Sequence, residues 1–203
     1  MPGPVAEVRV RSPRGGGRAR CARGLSLMEL LLVVALMGIL AGMAIPFFQT
    51  SLPEQLQAAA QVTAADLAYA QSLAVGHGSR YRITFEPVQN RYRLTHSGTN
   101  ASLNNLPRHP LRAPGEALTQ QTTDFDELPH TGSPVKLLGA YTLSGAWQPV
   151  TTLEFGPLGE TTRTEPTYVW FQAGAGGTRR FISIRVQPTT GSATISGITA
   201  VGP

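Results

Sequence analysis

The feature that most constrains this chain of 203 residues is an apolar run near its start. Residues 30–45 contain no charged side chain, and two phenylalanines extend the run beyond Pro46. A bilayer core needs about 20 mostly apolar residues in a helix, so a run of this length can just span one. A single acidic residue, Glu29, stands immediately before it. Because a carboxylate in lipid is costly and such acids are usually functional, Glu29 requires an explanation.

The positive charge of the chain is concentrated ahead of this run. The formal net charge is +5. Residues 1–24 contain six arginines and one acidic residue, Glu7, whereas residues 25–203 contain equal numbers of basic and acidic residues. Basic residues beside an apolar span stay on the cytoplasmic side, so this distribution predicts a targeting segment rather than a nucleic-acid-binding surface. The only cysteine, Cys21, also lies in this segment, which leaves residues 25–203 without a disulfide.

Three interpretations of residues 1–48 are compatible with these patterns. A secretory signal peptide would have the same basic segment and apolar core, with Gly42-Met43-Ala44 as its cleavage site and Ile45 as the new N-terminus. A plain single-pass anchor would need no acidic residue. The third interpretation uses the whole arrangement, in which Gly24 precedes an apolar residue and Glu29 follows just as the hydrophobic run begins.

Residues 24–34, GLSLMELLLVV, resemble the class III signal of type IV prepilins and type II secretion pseudopilins. The resemblance implies that a prepilin peptidase cuts after Gly24 on the cytoplasmic side and N-methylates Leu25. Glu29 then matches the glutamate at the fifth mature position of the family, and Pro46 matches its later proline. The chain departs from the usual pattern at Leu25, where Phe or Met is common, and at Leu27, where Thr is common.

The resemblance gives Glu29 a role in filament assembly. Cleavage leaves a positive amine on Leu25, and this amine enters apolar surroundings when the subunit leaves the membrane. A carboxylate from a neighbouring subunit can pair with it, since buried ions are tolerated chiefly when paired. Head-to-tail repetition of this contact builds a helical filament rather than a closed ring. A Glu29 that lies among lipid headgroups is the simpler alternative.

Beyond residue 48 the pattern predicts a helix followed by a β-rich region. Apolar residues and alanines recur at three- and four-residue spacing over residues 52–74, and Gly76-His77-Gly78 is expected to end this helix. The period then changes to two. Strands are predicted over residues 80–86, 91–95, 135–143, 150–155, 167–171, 179–186 and 192–196. Residues 96–134 show no periodicity and are expected to form a long loop without regular structure.

Candidate chemical sites in this region are weak. Four arginines on the outer face of the first hairpin are interpreted as ordinary outward residues: Arg80, Arg82, Arg91 and Arg93. Asp124, Asp126 and Glu127 lack the spacing of a calcium loop. The histidines His77, His96, His109 and His130 lack zinc spacing. Trp147 and Trp170 are expected to pack in the sheet.

We also expect no enzymatic activity. The sequence offers no Ser/His/Asp, Cys/His or paired-carboxylate arrangement with usable spacing. No metal, cofactor or small-molecule substrate is therefore expected. Nucleic acid is an unlikely partner because the positive charge lies in the leader.

A second resemblance lies in the C-terminal part of the chain. Residues 153–159, LEFGPLG, and residues 182–186, ISIRV, followed by Thr190-Gly191, resemble the C-terminal signature of the GspH/FimT group of minor pseudopilins and minor pilins. Some FimT-like members bind DNA for uptake through arginines just after the final turn. Residues 191–194 are GSAT, without a basic residue, so DNA binding is doubtful. A DNA-binding minor pilin is the alternative function.

The sequence therefore predicts an α+β, pilin-like fold in which a long N-terminal helix, membrane-spanning in its first half, packs on a small antiparallel β-sheet domain. The expected parts are a leader (1–24), a transmembrane and filament-core helix (25–48), an amphipathic extension (49–78) and a periplasmic β-rich domain (79–203). The resemblance implies a minor component of a secretion pseudopilus or type IV pilus. Its expected partners are prepilin peptidase, other pilins or pseudopilins, and the inner membrane, which it would cross once.

Mass spectrometry of the mature N-terminus distinguishes these interpretations. We expect the chain isolated from its own host to begin at Leu25, with or without a methyl group, because the peptidase cuts after Gly24. A mature chain beginning at Ile45 would instead identify a cleaved secretory signal peptide and overturn the prepilin interpretation.

Overall fold

A computed structural model describes residues 26–44, 51–109, 112, 115–127 and 135–203. The chain divides into two units, Met1–Phe48 and Gln49–Pro203, which are described separately. The predicted cleavage position at Gly24 and Leu25 and the predicted kink at Pro46 lie outside the described residues.

The described part of the first unit is one helix, α1, Leu27–Ala44. Ser26 caps its start, since its hydroxyl oxygen accepts a hydrogen bond of 3.2 Å from the backbone N–H of Glu29. Every described side chain from Ser26 to Leu40 is exposed. Among the helices that the structure describes, none combines the length and the apolarity needed to cross a membrane.

The second unit begins with helix α2, Leu52–His77. Its N-terminus is closed by Glu54, whose carboxylate accepts a 3.1 Å hydrogen bond from the backbone N–H of Ser51. Its C-terminus is closed by Gly78, which takes the left-handed conformation with φ +56°. The predicted helix end is therefore confirmed. Small buried side chains, above all alanines, line the face of α2 that packs on the sheets.

Two antiparallel sheets complete the second unit. The first sheet consists of β1 Tyr81–Glu86, β2 Arg91–His96, β3 Gln120–Asp124 and β6 Thr152–Phe155. The second consists of β4 Val135–Ser144, β5 Ala146–Val150, β7 Thr167–Ala173, β8 Arg180–Val186 and β9 Ala193–Ile195. The strand order is β3-β2-β1-β6 in the first sheet and β5-β4-β7-β8-β9 in the second. The predicted combination of a long helix with antiparallel sheets is confirmed.

A continuous core joins α2 to both sheets. Phe125 is fully buried and connects them through its aromatic neighbours: its ring centroid lies 5.6 Å from that of Tyr92 in the first sheet and 5.0 Å from that of Phe171 in the second. Leu56 and Leu67 of α2 are buried in the same cluster. Burial of such side chains is the main favourable contribution to folding, at about 25 cal/mol per Å² of apolar surface.

The prediction that residues 96–134 lack regular structure is wrong in part. Strand β3, Gln120–Asp124, pairs with β2, and the core residues Leu106 and Phe125 also belong to this segment. The strand alternates between buried and partly buried positions, yet its buried residues are Gln121 and Thr123. A strand of polar residues carries no hydrophobic alternation, so the period-two signal is absent. Strand β5 was also not expected as a separate element.

A buried carboxylate fixes α2 to β2 and β3. Asp66 of α2 accepts hydrogen bonds from the Tyr92 hydroxyl at 2.7 Å and from the Thr123 hydroxyl at 2.8 Å. His109 approaches the other carboxylate oxygen, with its Nε2 at 3.7 Å. Burial, followed by the nearby Asp66 carboxylate, raises the pKa of Tyr92 well above its ordinary value of 10.0. The hydroxyl therefore stays protonated and keeps donating to Asp66.

This raised pKa predicts a loss of stability at alkaline pH. Above about pH 10 the unfolded chain gives up the Tyr92 proton while the folded chain keeps it, so the free energy of unfolding falls as pH rises. Burial also raises the pKa of Tyr69 and Tyr81, which contribute to the same slope. Urea unfolding between about pH 7 and pH 11 measures the slope. Tyr92→Phe should lower stability near neutral pH by about 1–2 kcal/mol and flatten the alkaline slope.

Tyr168→Phe is the matched control, because Tyr168 lies outside the buried core of the second unit. It should leave the alkaline slope as in the parent chain. An unchanged slope in Tyr92→Phe would contradict the assigned cause.

Candidate functional site

Glu29 lies in the first turn of α1, with its side chain exposed. A carboxylate is favoured there because the N-terminal end of a helix carries a partial positive charge. Its backbone N–H donates a hydrogen bond to the Ser26 hydroxyl, whereas its carboxylate makes no hydrogen bond or ion pair within residues 26–44. The acid is thus presented outward from an otherwise uncharged helix.

The rest of α1 is apolar on all sides. Most of its large side chains are more than half exposed, among them Leu27 at 79%, Leu31 at 60% and Met37 at 66%. A helix that is hydrophobic all round is normally buried in protein or lipid, so these side chains require a cover. A methyl group added at Gly38 would meet no atom within 4 Å, which leaves room there for close approach of another helix.

The two C-terminal sequence signatures meet at one side chain of α2. The Gln71 side-chain amide donates hydrogen bonds to the backbone carbonyls of Gly159, at 2.8 Å, and Thr190. Gly159 ends the LEFGPLG segment, and Thr190 begins the Thr-Gly turn. A Cβ on Gly191 would lie only 2.1 Å from the Gly159 carbonyl oxygen, and φ of Gly191 is +64°. Glycine is therefore required at 191 by both space and backbone conformation.

The predicted basic stripe is neutralised by glutamates on neighbouring strands. Arg82 donates two hydrogen bonds to Glu154, at 2.9 and 2.7 Å. Arg91 and Arg93 both pair with Glu86, at 2.6 and 3.0 Å. Arg80 reaches Glu154 only at 4.0 Å. The interpretation of these arginines as ordinary outward residues is confirmed, and three of them are committed to partners that a phosphate would have to displace.

The acidic segment and the tryptophans have structural contacts. Asp124 ends β3 and accepts a 2.9 Å hydrogen bond from the backbone N–H of Asp126, whose carboxylate binds the Asn90 amide at 2.8 Å. Within the described residues, no group of three His, Cys, Asp or Glu side chains could hold a metal ion. Trp147 and Trp170 pack edge to face with centroids 5.6 Å apart, as expected for sheet residues.

One polar constellation was missed by the sequence reasoning. Ser79 follows the C-terminal glycine of α2, His96 ends β2, and Asn104 lies in the next loop. The Ser79 hydroxyl oxygen is 2.7 Å from His96 Nε2, and Asn104 Oδ1 is 2.8 Å from His96 Nδ1. Asparagine takes the place of the aspartate of a Ser/His/Asp arrangement, and no local sequence pattern links three residues that only the fold brings together. A cavity of about 360 Å³ opens beside Ser79.

The Gln71 contacts predict that this side chain stabilises the second unit. Gln71→Ala should lower the free energy of unfolding by about 1–3 kcal/mol, because two backbone carbonyls lose their donor. Gln61→Ala, at an exposed position of the same helix, is the control and should change stability by less than about 0.5 kcal/mol. Equal effects of the two substitutions in chemical denaturation would show that Gln71 does not hold the two turns.

Comparison with known proteins finds no matching family model and no matching curated protein. Among solved structures, the chain is similar to a crystal structure of the minor pseudopilin EpsH from the type II secretion system of Vibrio cholerae, with 15% identity, a TM-score of 0.48, and coverage of 72% of this chain and 96% of that one. A second EpsH structure gives 13% identity and a TM-score of 0.46, with coverage of 70% and 97%. The type IV minor pilin FimU of Pseudomonas aeruginosa gives 19% identity and a TM-score of 0.41, with coverage of 71% and 89%. The resemblance to minor pseudopilins and minor pilins expected from the sequence is thus also found among solved structures.

Proposed function

We propose that the chain is a structural subunit of a pilin-like filament, a minor pseudopilin or minor pilin that supports protein secretion or pilus assembly. The observation that carries this proposal is the single carboxylate of Glu29 on a helix that is otherwise uncharged and exposes apolar side chains on every side. An exposed apolar surface of this size marks a site of interaction, so we expect lipid or other subunits to cover it.

The proposal has two stages, which differ in what covers α1. Before assembly, residues 25–48 span the inner membrane once, with the leader in the cytoplasm and residues 79–203 in the periplasm. Prepilin peptidase then cuts after Gly24 and N-methylates Leu25. During assembly the apolar helix leaves the lipid and packs among the helices of other pilins or pseudopilins.

Glu29 favours the assembled state of the subunit over its membrane state. At the centre of a membrane helix an acid costs roughly 2.5–3.5 kcal/mol even on the lenient insertion scale, and part of that cost applies to Glu29 in the first turn of α1. In the filament it pairs with the positive amine of Leu25 of a neighbouring subunit, so that both charges are compensated. The membrane state is thereby penalised and the assembled state favoured by the same side chain.

The second unit serves as the part of the subunit that other components recognise. Helix α2 holds both sheets through its buried face, so the outer surfaces are presented on a rigid support. In this role the subunit needs no catalysis, cofactor, metal or small-molecule substrate. DNA uptake is the less favoured alternative, because three of the four outward arginines of the β1–β2 hairpin are already paired with glutamates.

Substitution of Glu29 tests the assembly role. Glu29→Ala and Glu29→Gln should leave cleavage after Gly24 intact but lower incorporation into filaments by on the order of tenfold or more, because the buried amine loses its counter-charge. Incorporation is measured as the ratio of subunit in sheared filaments to subunit in the membrane fraction. The first turn of α2 supplies the matched control, Glu54→Gln, which should assemble normally.

Mass spectrometry of each variant's N-terminus separates processing from assembly. If processed Glu29→Gln assembles as well as the parent chain, the amine-pairing role is wrong. If Glu29→Gln is not processed, the acid acts in peptidase recognition rather than in pairing.

A further inference from the structure

We infer that Ser79, His96 and Asn104 form a hydrolytic site for small carboxylic esters. This inference goes beyond the proposed filament role and rests only on residues of the second unit. It also departs from the sequence-based expectation that the chain catalyses no reaction.

The three side chains have the contacts of a nucleophile, a base and an orienting group. The Ser79 hydroxyl lies 2.7 Å from His96 Nε2, within reach for proton transfer. Asn104 Oδ1 lies 2.8 Å from His96 Nδ1 and accepts its hydrogen, which places the proton on Nδ1 and leaves the Nε2 lone pair for the hydroxyl. This is the arrangement that activates a serine, recognised by geometry rather than by sequence order.

The fold holds the nucleophile and the base in place. The backbone N–H of Ser79 donates to the Ala74 carbonyl at 3.0 Å, just beyond the left-handed Gly78. The His96 ring packs edge-on against the buried Tyr81 ring, with centroids 5.1 Å apart. Ser79 thus follows directly after the C-terminal end of α2. Asn104 is neutral, so it orients the imidazole without compensating the positive charge that forms when His96 takes the hydroxyl proton.

Gly98 packs directly against the Ser79–His96 pair. A Cβ at this position would lie 2.1 Å from the Ser79 hydroxyl oxygen and 2.8 Å from His96 Nε2, so no side chain fits there. The nucleophile is therefore approached from the cavity that Ser79 lines. The backbone N–H groups of Gly98 and Thr99 donate no hydrogen bond within the described part of the chain. Both residues line the cavity beside Ser79.

The cavity defines the class of substrate. Its volume of about 360 Å³ is at the small end for ligand sites. Most of its lining is polar or glycine, including Ser97, Gly98 and Thr99. Arg80 also lines it, and its nearest carboxylate, Glu154, is 4.0 Å away. A small ester that carries a carboxylate fits these features better than a neutral or long-chain ester.

The reaction needs only the ester and water. The Ser79 hydroxyl oxygen attacks the acyl carbon while His96 Nε2 takes the hydroxyl proton. The bond from the acyl carbon to the alcohol oxygen then breaks, and His96 returns the proton to the departing alkoxide. Water, deprotonated by His96, attacks the acyl-serine in the same way, which releases the carboxylic acid and restores the Ser79 hydroxyl.

The experiment uses the full-length chain in detergent, an alkyl fluorophosphonate and two nitrophenyl esters, acetate and hemisuccinate. We expect a phosphonyl adduct on Ser79, located by peptide mass spectrometry, and faster release of nitrophenol from the hemisuccinate. Ser79→Ala should abolish both signals, and His96→Ala should slow labelling by about 100-fold or more. Asn104→Asp should speed labelling, since an aspartate compensates the imidazolium. Arg80→Gln should raise KM for the hemisuccinate only.

Two variants separate activation from folding. Gly98→Ala keeps all three polar side chains, but its Cβ would displace the Ser79 hydroxyl from His96 Nε2, so labelling should be lost. A thermal unfolding curve like that of the parent chain shows that this loss does not come from unfolding. Ser72→Ala removes an exposed hydroxyl of α2 that donates to the Tyr69 carbonyl and is not among the residues that line the cavity, and it should label like the parent chain.

An absence of adduct on Ser79, or equal labelling of the parent chain and His96→Ala, would overturn the inference. Because labelling is measured on the solubilised subunit, its failure leaves the assembly role of Glu29 unaffected, and failed assembly leaves this site unaffected.

Discussion

The packing of α2 on two sheets at once is the interaction on which the second unit depends. Its buried face carries four alanines, among them Ala59, Ala60 and Ala70, and three leucines. Small side chains let the helix backbone approach the sheets closely, and close packing gives the dispersion contacts that a void would lose. Two polar side chains on the same helix then fix which parts of the sheets and turns lie against it. Asp66 bonds to Tyr92 of β2, and Gln71 bonds to the carbonyl of Gly159. Apolar contact supplies the energy, and these hydrogen bonds select one arrangement.

Regular elements with a hydrophobic period were predictable from the sequence. Helix α2 and the hairpin of β1 and β2 have repeating apolar positions, so their bounds agree with the structure to within a residue or two. Strand β3 was missed because its buried side chains are Gln121 and Thr123. Thr123 is buried because it donates to Asp66, a residue far away in sequence. A position that is buried through a distant polar partner has no local signature, and only the fold reveals it.

The two candidate sites differ in the same respect, because only one of them has a local signature in the sequence. Glu29 could be identified from the sequence alone, because an acidic residue directly before an apolar run is a local pattern. Ser79, His96 and Asn104 are each unremarkable in sequence, and they meet only because β1 and β2 pair so that His96 lies opposite Tyr81. The glycine at position 98 was equally uninformative until its missing Cβ was seen to face the Ser79 hydroxyl. Sites that depend on register are therefore found after the strands are paired.

In the proposed filament role, Glu29 is an unfavourable residue that makes assembly directional. A neutral side chain at position 29 would then make α1 more stable in lipid, since Glu29 carries the only charged side chain between residues 25 and 48. It would also leave the proposed neighbour's amine uncompensated after assembly. On this proposal the acid raises the free energy of the membrane state and lowers that of the filament, so both effects act in the same direction. A residue that only strengthened contacts between subunits would not destabilise the starting state, and the subunit would leave the membrane less readily.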